Sequence, residues 1–396
     1  MHILVLGAGA YVCGRGGEGF GTILPSLAEC YRDGLIDRVT VAATTSRSIR
    51  NLQEKLTGLN DILGTRLSIQ GFPQAGDDSK AFRIALAAGD AVDAAIVVTP
   101  DPLHFEHAAE LIEAGIHCLV VKPLTPTMAE SLRLVKLAED HTVYGAVEFH
   151  KRWDEANLHL KSIFQSGRLG LPLYAVVEYS QKKQVPTELF RAWSARTNIF
   201  QYLGVHYVDI LYFVTGARPV RSMAVGQKRW LIRQGIDTWD AIQATIEWED
   251  VSAGRFHTVI AVNWIDPDSS TAMSDQTLSF VGTAGRYDSD QKRRGVRVTT
   301  DEDGPREVNP YFSEILPAPD GHSQFRGYGY RSVRQFVEDA AAVRAGSATP
   351  ADFEGRRPTF RDALVSTAVI DAVNRSLASG GEWIDVPAFN RQSVSA

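Results

Sequence analysis

The chain has 396 residues, 44% hydrophobic and 22% charged, with a formal net charge of −6. That length and composition fit two or three domains with ordinary packed cores. The acidic balance argues against nucleic acid or an anionic membrane as the main partner, and no run of about 18 apolar residues marks a membrane span.

The first run, His2-Ile3-Leu4-Val5-Leu6, is strand-like with no basic leader before it, and Cys13, Cys30 and Cys118 form no C-x-x-C pair. Both features lead us to expect a cytoplasmic protein without a disulfide framework. Through residue 148, strands expected at 2–7, 39–44, 67–70, 93–98, 117–121 and 142–149 alternate with helices expected at 23–31, 48–56, 79–88, 104–114 and 128–140. Ala94-Ala95-Ile96-Val97-Val98 and Cys118-Leu119-Val120-Val121 are nearly all apolar, as a parallel sheet covered on both faces requires. The alternation predicts a doubly wound α/β domain over residues 1–148. Over 149–396 the pattern changes. A helix at 155–165 stops at Ser166-Gly167, and strands follow at 173–179, 220–225, 241–248, 254–262, 277–281 and 296–299. A helix at 206–214 interrupts them, and helices at 333–344 and 361–377 come last, before a polar tail expected to fray. This predicts an α+β domain on a large open, mostly antiparallel sheet.

Gly7-Ala8-Gly9 follows the first strand directly. Glycines there permit a tight turn and let the backbone approach a pyrophosphate seated at the next helix N-terminus, which makes Gly7, Gly9 and Ala10 candidate dinucleotide contacts. The third glycine of the usual pattern is missing, with Val12 near its place, and a glycine-rich run at 14–21 containing Arg15 lengthens the turn. That run reads either as extra donors for a bound phosphate or as a plain surface loop. After the second strand stand Ala43-Thr44-Thr45-Ser46-Arg47-Ser48, hydroxyls and an arginine without a carboxylate. A carboxylate there would hold a ribose 2′-hydroxyl, whereas arginine accommodates a 2′-phosphate, so Ser46 and Arg47 favour NADP(H) over NAD(H).

His104 and His107 lie three apart with Glu106 between and His117 beyond, but no four-ligand set completes a metal site, and none is expected. Asp266-Pro267-Asp268 and Asp288-Ser289-Asp290 lack the remaining positions of a calcium loop, and no G-x-S-x-G elbow occurs.

Several segments, in order, carry a family resemblance. Val97-Val98-Thr99-Pro100-Asp101-Pro102-Leu103-His104 resembles a T-P-N-x-x-H turn, and Ala114-Gly115-Ile116-His117-Cys118-Leu119-Val120-Val121-Lys122-Pro123-Leu124 resembles an A-G-K-H-V-x-x-E-K-P-L segment. Both are hallmarks of the glucose–fructose oxidoreductase/inositol dehydrogenase (Gfo/Idh/MocA) family. Val147-Glu148-Phe149-His150-Lys151-Arg152-Trp153, Gly167-Arg168-Leu169-Gly170 and Gly204-Val205-His206-Tyr207-Val208-Asp209 are similar to its later motifs. The resemblance implies a Rossmann domain, a C-terminal sheet that joins homodimers or homotetramers, and hydride transfer between NAD(P) and a hydroxyl or carbonyl carbon of a sugar, cyclitol or related compound. Thr99, Pro100 and His104 would then line the cofactor, Arg152 the substrate, and Lys122 and His206 would form the catalytic pair.

Oxidising a secondary alcohol releases a hydroxyl proton as hydride leaves carbon. A lysine serves as base if burial and a neighbouring cation bring its pKa down from about 10.4 toward 7–8. Histidine starts near 6.5, so His206 is equally suited to carry the proton while Lys122 orients the oxygen. Three departures stand out: Val121 replaces the glutamate of E-K-P, Tyr202 stands where an aspartate often precedes the histidine by four residues, and Asp101 replaces an asparagine. Tyr202 is either a hydrogen-bond donor to substrate or core packing. Between residues 180 and 196 lie Lys182, Lys183, Arg191 and Arg196 against the single acid Glu188. This stretch reads as a site for an anionic sugar or as a solvated basic loop. A dinucleotide-dependent sensor without turnover and an NAD-dependent glycosidase are the competing functions on this fold.

Overall fold

The computed structural model describes residues 1–14, 19–88, 91–250, 253–302 and 304–387; Arg15 and the polar tail lie outside the described residues. The first sheet holds six strands: β1 (His2–Leu6), β2 (Arg38–Ala42), β3 (Ile69–Phe72), β4 (Ala94–Val97), β5 (His117–Val121) and β6 (Gly145–Glu148). Their order is β3-β2-β1-β4-β5-β6, and every pairing is parallel. The reversal of direction between β1 and β4 is the topological switch point at which open α/β sheets bind ligands. β1, β4 and β6 are buried along their whole length, and apart from His2 and Glu148 their residues form continuous apolar runs.

Helices α1 (Ala10–Cys13), α2 (Ile23–Arg32), α3 (Ser46–Leu63), α4 (Ala81–Ala87), α5 (His104–Glu113) and α6 (Met128–Asp140) follow the strands. The helix after the glycine turn is interrupted. α1 runs a single turn and ends at Gly14, and the chain re-enters through Gly21, whose φ of +71° and contact with the Val12–Cys13 backbone admit no side chain. In α3 Thr45 is the N-cap, accepting from the Ser48 N–H, and Gly64 closes the helix in the left-handed conformation.

The second sheet combines β7 (Pro172–Lys182), β8 (Arg218–Gln227), β9 (Ala241–Asp250), β10 (Gly254–Asp266), β11 (Ser274–Gly282), β12 (Arg286–Asp290) and the short β17 (Ile384–Asp385) in the order β12-β11-β7-β10-β9-β8-β17. All its pairings are antiparallel except β7 with β10. From Tyr174 to Tyr179 β7 alternates: Ala175, Val177 and Tyr179 are buried while Tyr174, Val176 and Glu178 are exposed. The buried face is covered by α7 (Glu155–Gln165) and α8 (Val205–Thr215), with Phe164 against Phe280 and Tyr207 against Tyr179. A one-turn α9 (Trp230–Arg233) follows β8, and β13 (Val296–Thr300) pairs with β14 (Gly304–Val308).

The chain divides into one unit of Met1–Leu124, Ser131–Trp153 and Tyr311–Asp362, and a second of Thr125–Glu130, Asp154–Pro310 and Ala363–Ala396. This differs from a single cut after residue 148. The hairpin β15 (Glu314–Pro317) and β16 (Ser323–Arg326), and α10 (Tyr328–Arg344), return to the Rossmann unit, whereas α11 (Phe360–Ala378) mostly belongs to the second. The reason is the apolar stripe Val333, Phe336, Val337 and Ala340, which enters one core with Leu24, Leu27 and Ala28 of α2. Full burial of a side chain of this size contributes about 1.5–3 kcal/mol, enough to recruit a distant helix.

Candidate functional site

The Rossmann unit holds the candidates Gly7, Gly9, Ala10, Ser46, Arg47, Thr99, Pro100, His104, Lys122 and Arg152; the second unit holds Lys182, Lys183, Tyr202 and His206. In the first, the loops after β1, β4 and β5 all emerge at the carboxyl edge of the parallel sheet. Gly7 sits at φ +111°, its N–H donating to the Ala42 carbonyl, and a Cβ there would run into the Val98 carbonyl oxygen. Gly9 caps α1 without a side-chain cap bond, and a Cβ at Gly9 would meet nothing within 4 Å among the described residues. The open backbone over Gly9 and Ala10 fits a dinucleotide pyrophosphate.

After β2, Ser46 is buried and its Oγ accepts from Arg50, while Arg47 is exposed in the first turn of α3. After β4, His104 is fully buried, with Nδ1 2.8 Å from the Pro123 carbonyl and Nε2 2.8 Å from the Thr99 carbonyl. Its ring ties the Thr99-Pro100 turn to the Lys122-Pro123 turn. His107 Nδ1 lies 3.1 Å from Thr99 Oγ1 and its ring packs edge-on against Phe82, so both helix histidines serve the turn.

Lys122, just past β5, is half-buried. Crowding by protein atoms lowers its pKa from 10.5 to about 8, and the carboxylates of Asp101 and Glu148 keep it from falling further. Glu148 and His150 were not singled out as site residues by the sequence reading. Glu148 closes β6, buried, with Oε2 2.9 Å from His150 Nδ1; the Tyr11 hydroxyl is 3.3 Å from the same nitrogen. Phe312 and Tyr328 flank the His150 ring. Burial and the Glu148 carboxylate push the Tyr11 phenol well above its ordinary value. The signal was available: a glutamate ending the wholly buried strand Gly-Ala-Val-Glu is a charge where apolar residues are the rule. Arg152 is buried on the next turn, its Nη1 3.8 Å from the Asp362 carboxylate.

In the second unit His206 is buried in the first turn of α8, with the Tyr179 ring nearby. Tyr202 lies in a π-helical turn, Phe200–Gly204, that leads into α8 and widens the backbone ahead of His206. Its ring joins a cluster with Phe190, Trp193 and Trp264. Lys182 ends β7 in register with Asp266, and Lys183 Nζ stands 5.1 Å from the centre of the Trp230 ring.

Residues 75–149 match the family model "Oxidoreductase family, NAD-binding Rossmann fold", and residues 157–288 match "GFO/IDH/MocA C-terminal domain". The chain belongs to the Gfo/Idh/MocA family. It is an oxidoreductase with an NAD(P)-binding Rossmann domain. Family members similar to it include a scyllo-inositol 2-dehydrogenase (NADP(+)) of Bacillus subtilis, 27% identical over 64% of this chain and 71% of its own. A myo-inositol dehydrogenase of Streptomyces leeuwenhoekii is 29% identical over 75% of this chain and 83% of its own. Among solved structures, an inositol dehydrogenase homologue of Azotobacter vinelandii, complexed with NADH and myo-inositol, shares the fold with a TM-score of 0.71 at 16% identity, covering 97% of both chains.

Proposed function

We propose that the protein is an NAD(P)-dependent dehydrogenase or reductase acting on a hydroxyl or carbonyl carbon of a sugar, cyclitol or sugar derivative, with Lys122 and His206 handling the proton. The observation that carries this reading is Lys122. Its pKa is lowered to about 8, and it stands at the same sheet edge as the open glycine turn. The inositol dehydrogenases among its relatives support the substrate class.

The bound nicotinamide supplies the hydride acceptor or donor; the protein supplies the rest. Gly7, Gly9 and Ala10 would hold the pyrophosphate by backbone, and Thr99 and Pro100, fixed by His104, would wall the site. Near pH 7 about one Lys122 in ten is neutral, enough to accept a hydroxyl proton at Nζ, and the ammonium form returns one in reduction. His206 is the alternative carrier, with Lys122 then orienting the oxygen. Exposed Arg47, in a Thr44–Ser48 segment that has no carboxylate of its own, favours NADP(H), as does the cofactor in the name of the Bacillus relative. The three buried thiols fit a reducing cytoplasm.

The test is a panel of inositols, neutral sugars and anionic sugars with each cofactor, following cofactor binding and reduction together. Turnover supports the reading, and binding without turnover identifies a sensor. Cleavage of a glycoside without net reduction identifies a glycosidase. For an anionic sugar, Lys182→Glu with Lys183→Glu is expected to raise KM by about tenfold, equivalent to about 1.4 kcal/mol, while a neutral cyclitol keeps its KM. An unchanged KM for the anionic sugar rejects that preference.

The open face of the second sheet exposes Tyr174, Val176 and Val259 on adjacent strands. We assign it to a homodimer or homotetramer contact, since an exposed apolar patch of this kind marks an interface. Tyr174→Asp with Val176→Asp is expected to lower the mass measured by light scattering to that of a monomer. An unchanged mass would place the contact elsewhere.

A further inference from the structure

Glu148 is the last residue of β6 and lies in register with Val121, the residue before Lys122 on β5. Register partners on adjacent parallel strands project to the same side of the sheet. Position 121 is where the E-K-P pattern carries a glutamate, and this chain has valine there. The carboxylate is therefore present, one strand over. Its setting is specific. Glu148 is 1% exposed; Oε2 is engaged by His150, the Tyr11 hydroxyl also interacts with the carboxylate, and Oε1 has no hydrogen-bond partner among the described residues. A buried carboxylate oxygen left open is costly, and its retention calls for a group that it serves.

We infer that Glu148 is the positioning residue for Lys122, supplying from the neighbouring strand the carboxylate that position 121 lacks. Oε1 is kept for the ammonium as it swings to meet the reacting oxygen, and the bond from His150 fixes the carboxylate through Oε2. Tyr11, the tilted Phe312 ring and the stacked Tyr328 ring hold His150 in turn. The charged and titratable groups around Lys122 are Asp101 on the turn after β4 and Glu148 on β6, with His150, Tyr11 and Tyr328 behind Glu148. Buried Lys151 and Arg152 continue the same turn, and Arg152 pairs with Asp362. Within that set Glu148 and Asp101 act on Lys122 in one direction, favouring the ammonium against burial.

The inference rests on Lys122 carrying or orienting the proton, so its test does not depend on turnover alone. The rate at which an amine-selective acylating reagent labels Lys122 is followed against pH by peptide mass spectrometry, in the parent, in Glu148→Gln and in Val121→Glu. Glu148→Gln is expected to move the labelling midpoint down by about one pH unit, a roughly tenfold loss of proton affinity. Val121→Glu is expected to move it up, and the double variant to return it toward the parent. The pH limb of kcat/KM is expected to follow the same shifts. An unmoved midpoint in Glu148→Gln overturns the inference. Should that variant fail to fold, an unmoved midpoint in Val121→Glu overturns it equally. Midpoints that move in a protein that oxidises no sugar uphold the placement of Glu148 and overturn the dehydrogenase reading. Turnover with unmoved midpoints does the reverse.

Discussion

Lys122→Ala is expected to lower kcat/KM by about a hundred- to ten-thousand-fold, the range for loss of a positioned general acid or base, with cofactor affinity largely kept. Lys122→Arg is not expected to rescue it, because a guanidinium stays protonated throughout the working range. The pH profile separates the two proton carriers. If Lys122 takes the proton, kcat/KM for oxidation rises with pH, levels off above about 8, and the limb disappears in Lys122→Ala. If His206 takes it, the pH limb survives the lysine substitution. The same residue has a stability signature. Its folded pKa, about 8, lies below the unfolded value of 10.5, so between those limits the unfolded chain binds more protons. Stability therefore rises with pH through that window, and the burden of the buried ammonium is present in full below it. Lys122→Met is accordingly expected to raise Tm at neutral pH, with the gain fading toward pH 10.5. Thermal melts at several pH values check this.

Gly7→Ala is expected to cost about 2–6 kcal/mol of folding stability and to abolish cofactor binding. Two effects add: a φ of +111° that L-residues rarely adopt, worth about 1–3 kcal/mol, and a methyl driven into the Val98 backbone, worth about 1–3 kcal/mol more. The obstacle is a carbonyl of the turn after β4, not a flexible side chain, so relief would require moving the Thr99-Pro100 segment. Gly9→Ala is the matched control. Its Cβ meets no atom of the described residues within 4 Å, and losing glycine at a cap costs under about 1 kcal/mol. It should leave the denaturation midpoint nearly unchanged while weakening cofactor binding, because its methyl enters the space assigned to the pyrophosphate. Equal destabilisation by both substitutions, or full cofactor affinity in Gly9→Ala, would contradict this account of the turn.

The parallel sheet was legible because its strands are buried on both faces and so carry continuous apolar runs, as β4 and β5 show. Helix α7 was equally plain, spanning Glu155–Gln165 between an Asp154 cap and a glycine stop. What escaped depends on partners distant in sequence. The apolar stripe of α10 is visible, but hydrophobic burial is non-directional, and nothing local says that it joins α2 some three hundred residues earlier. The π-turn holding Tyr202 and the break after α1 carry no marker in helical periodicity. Motif matching drew notice to Lys122 and to what Val121 lacks, whereas Glu148 needs the β5–β6 register to be seen as its neighbour. Thr99 and His104 were recognisable as a turn motif, but the structure shows how His104 works, as a brace between two backbone carbonyls.

The most direct test of the central claim is to follow the transferred atom. Each cyclitol and sugar of the panel is prepared with deuterium at its carbinol carbons, and the cofactor is recovered after incubation and weighed by mass spectrometry. Direct transfer predicts one deuterium on each nicotinamide ring formed by the parent protein, and none above background from Lys122→Ala over the same interval. Cofactor that stays bound and unlabelled across the whole panel would contradict the assignment as a dehydrogenase.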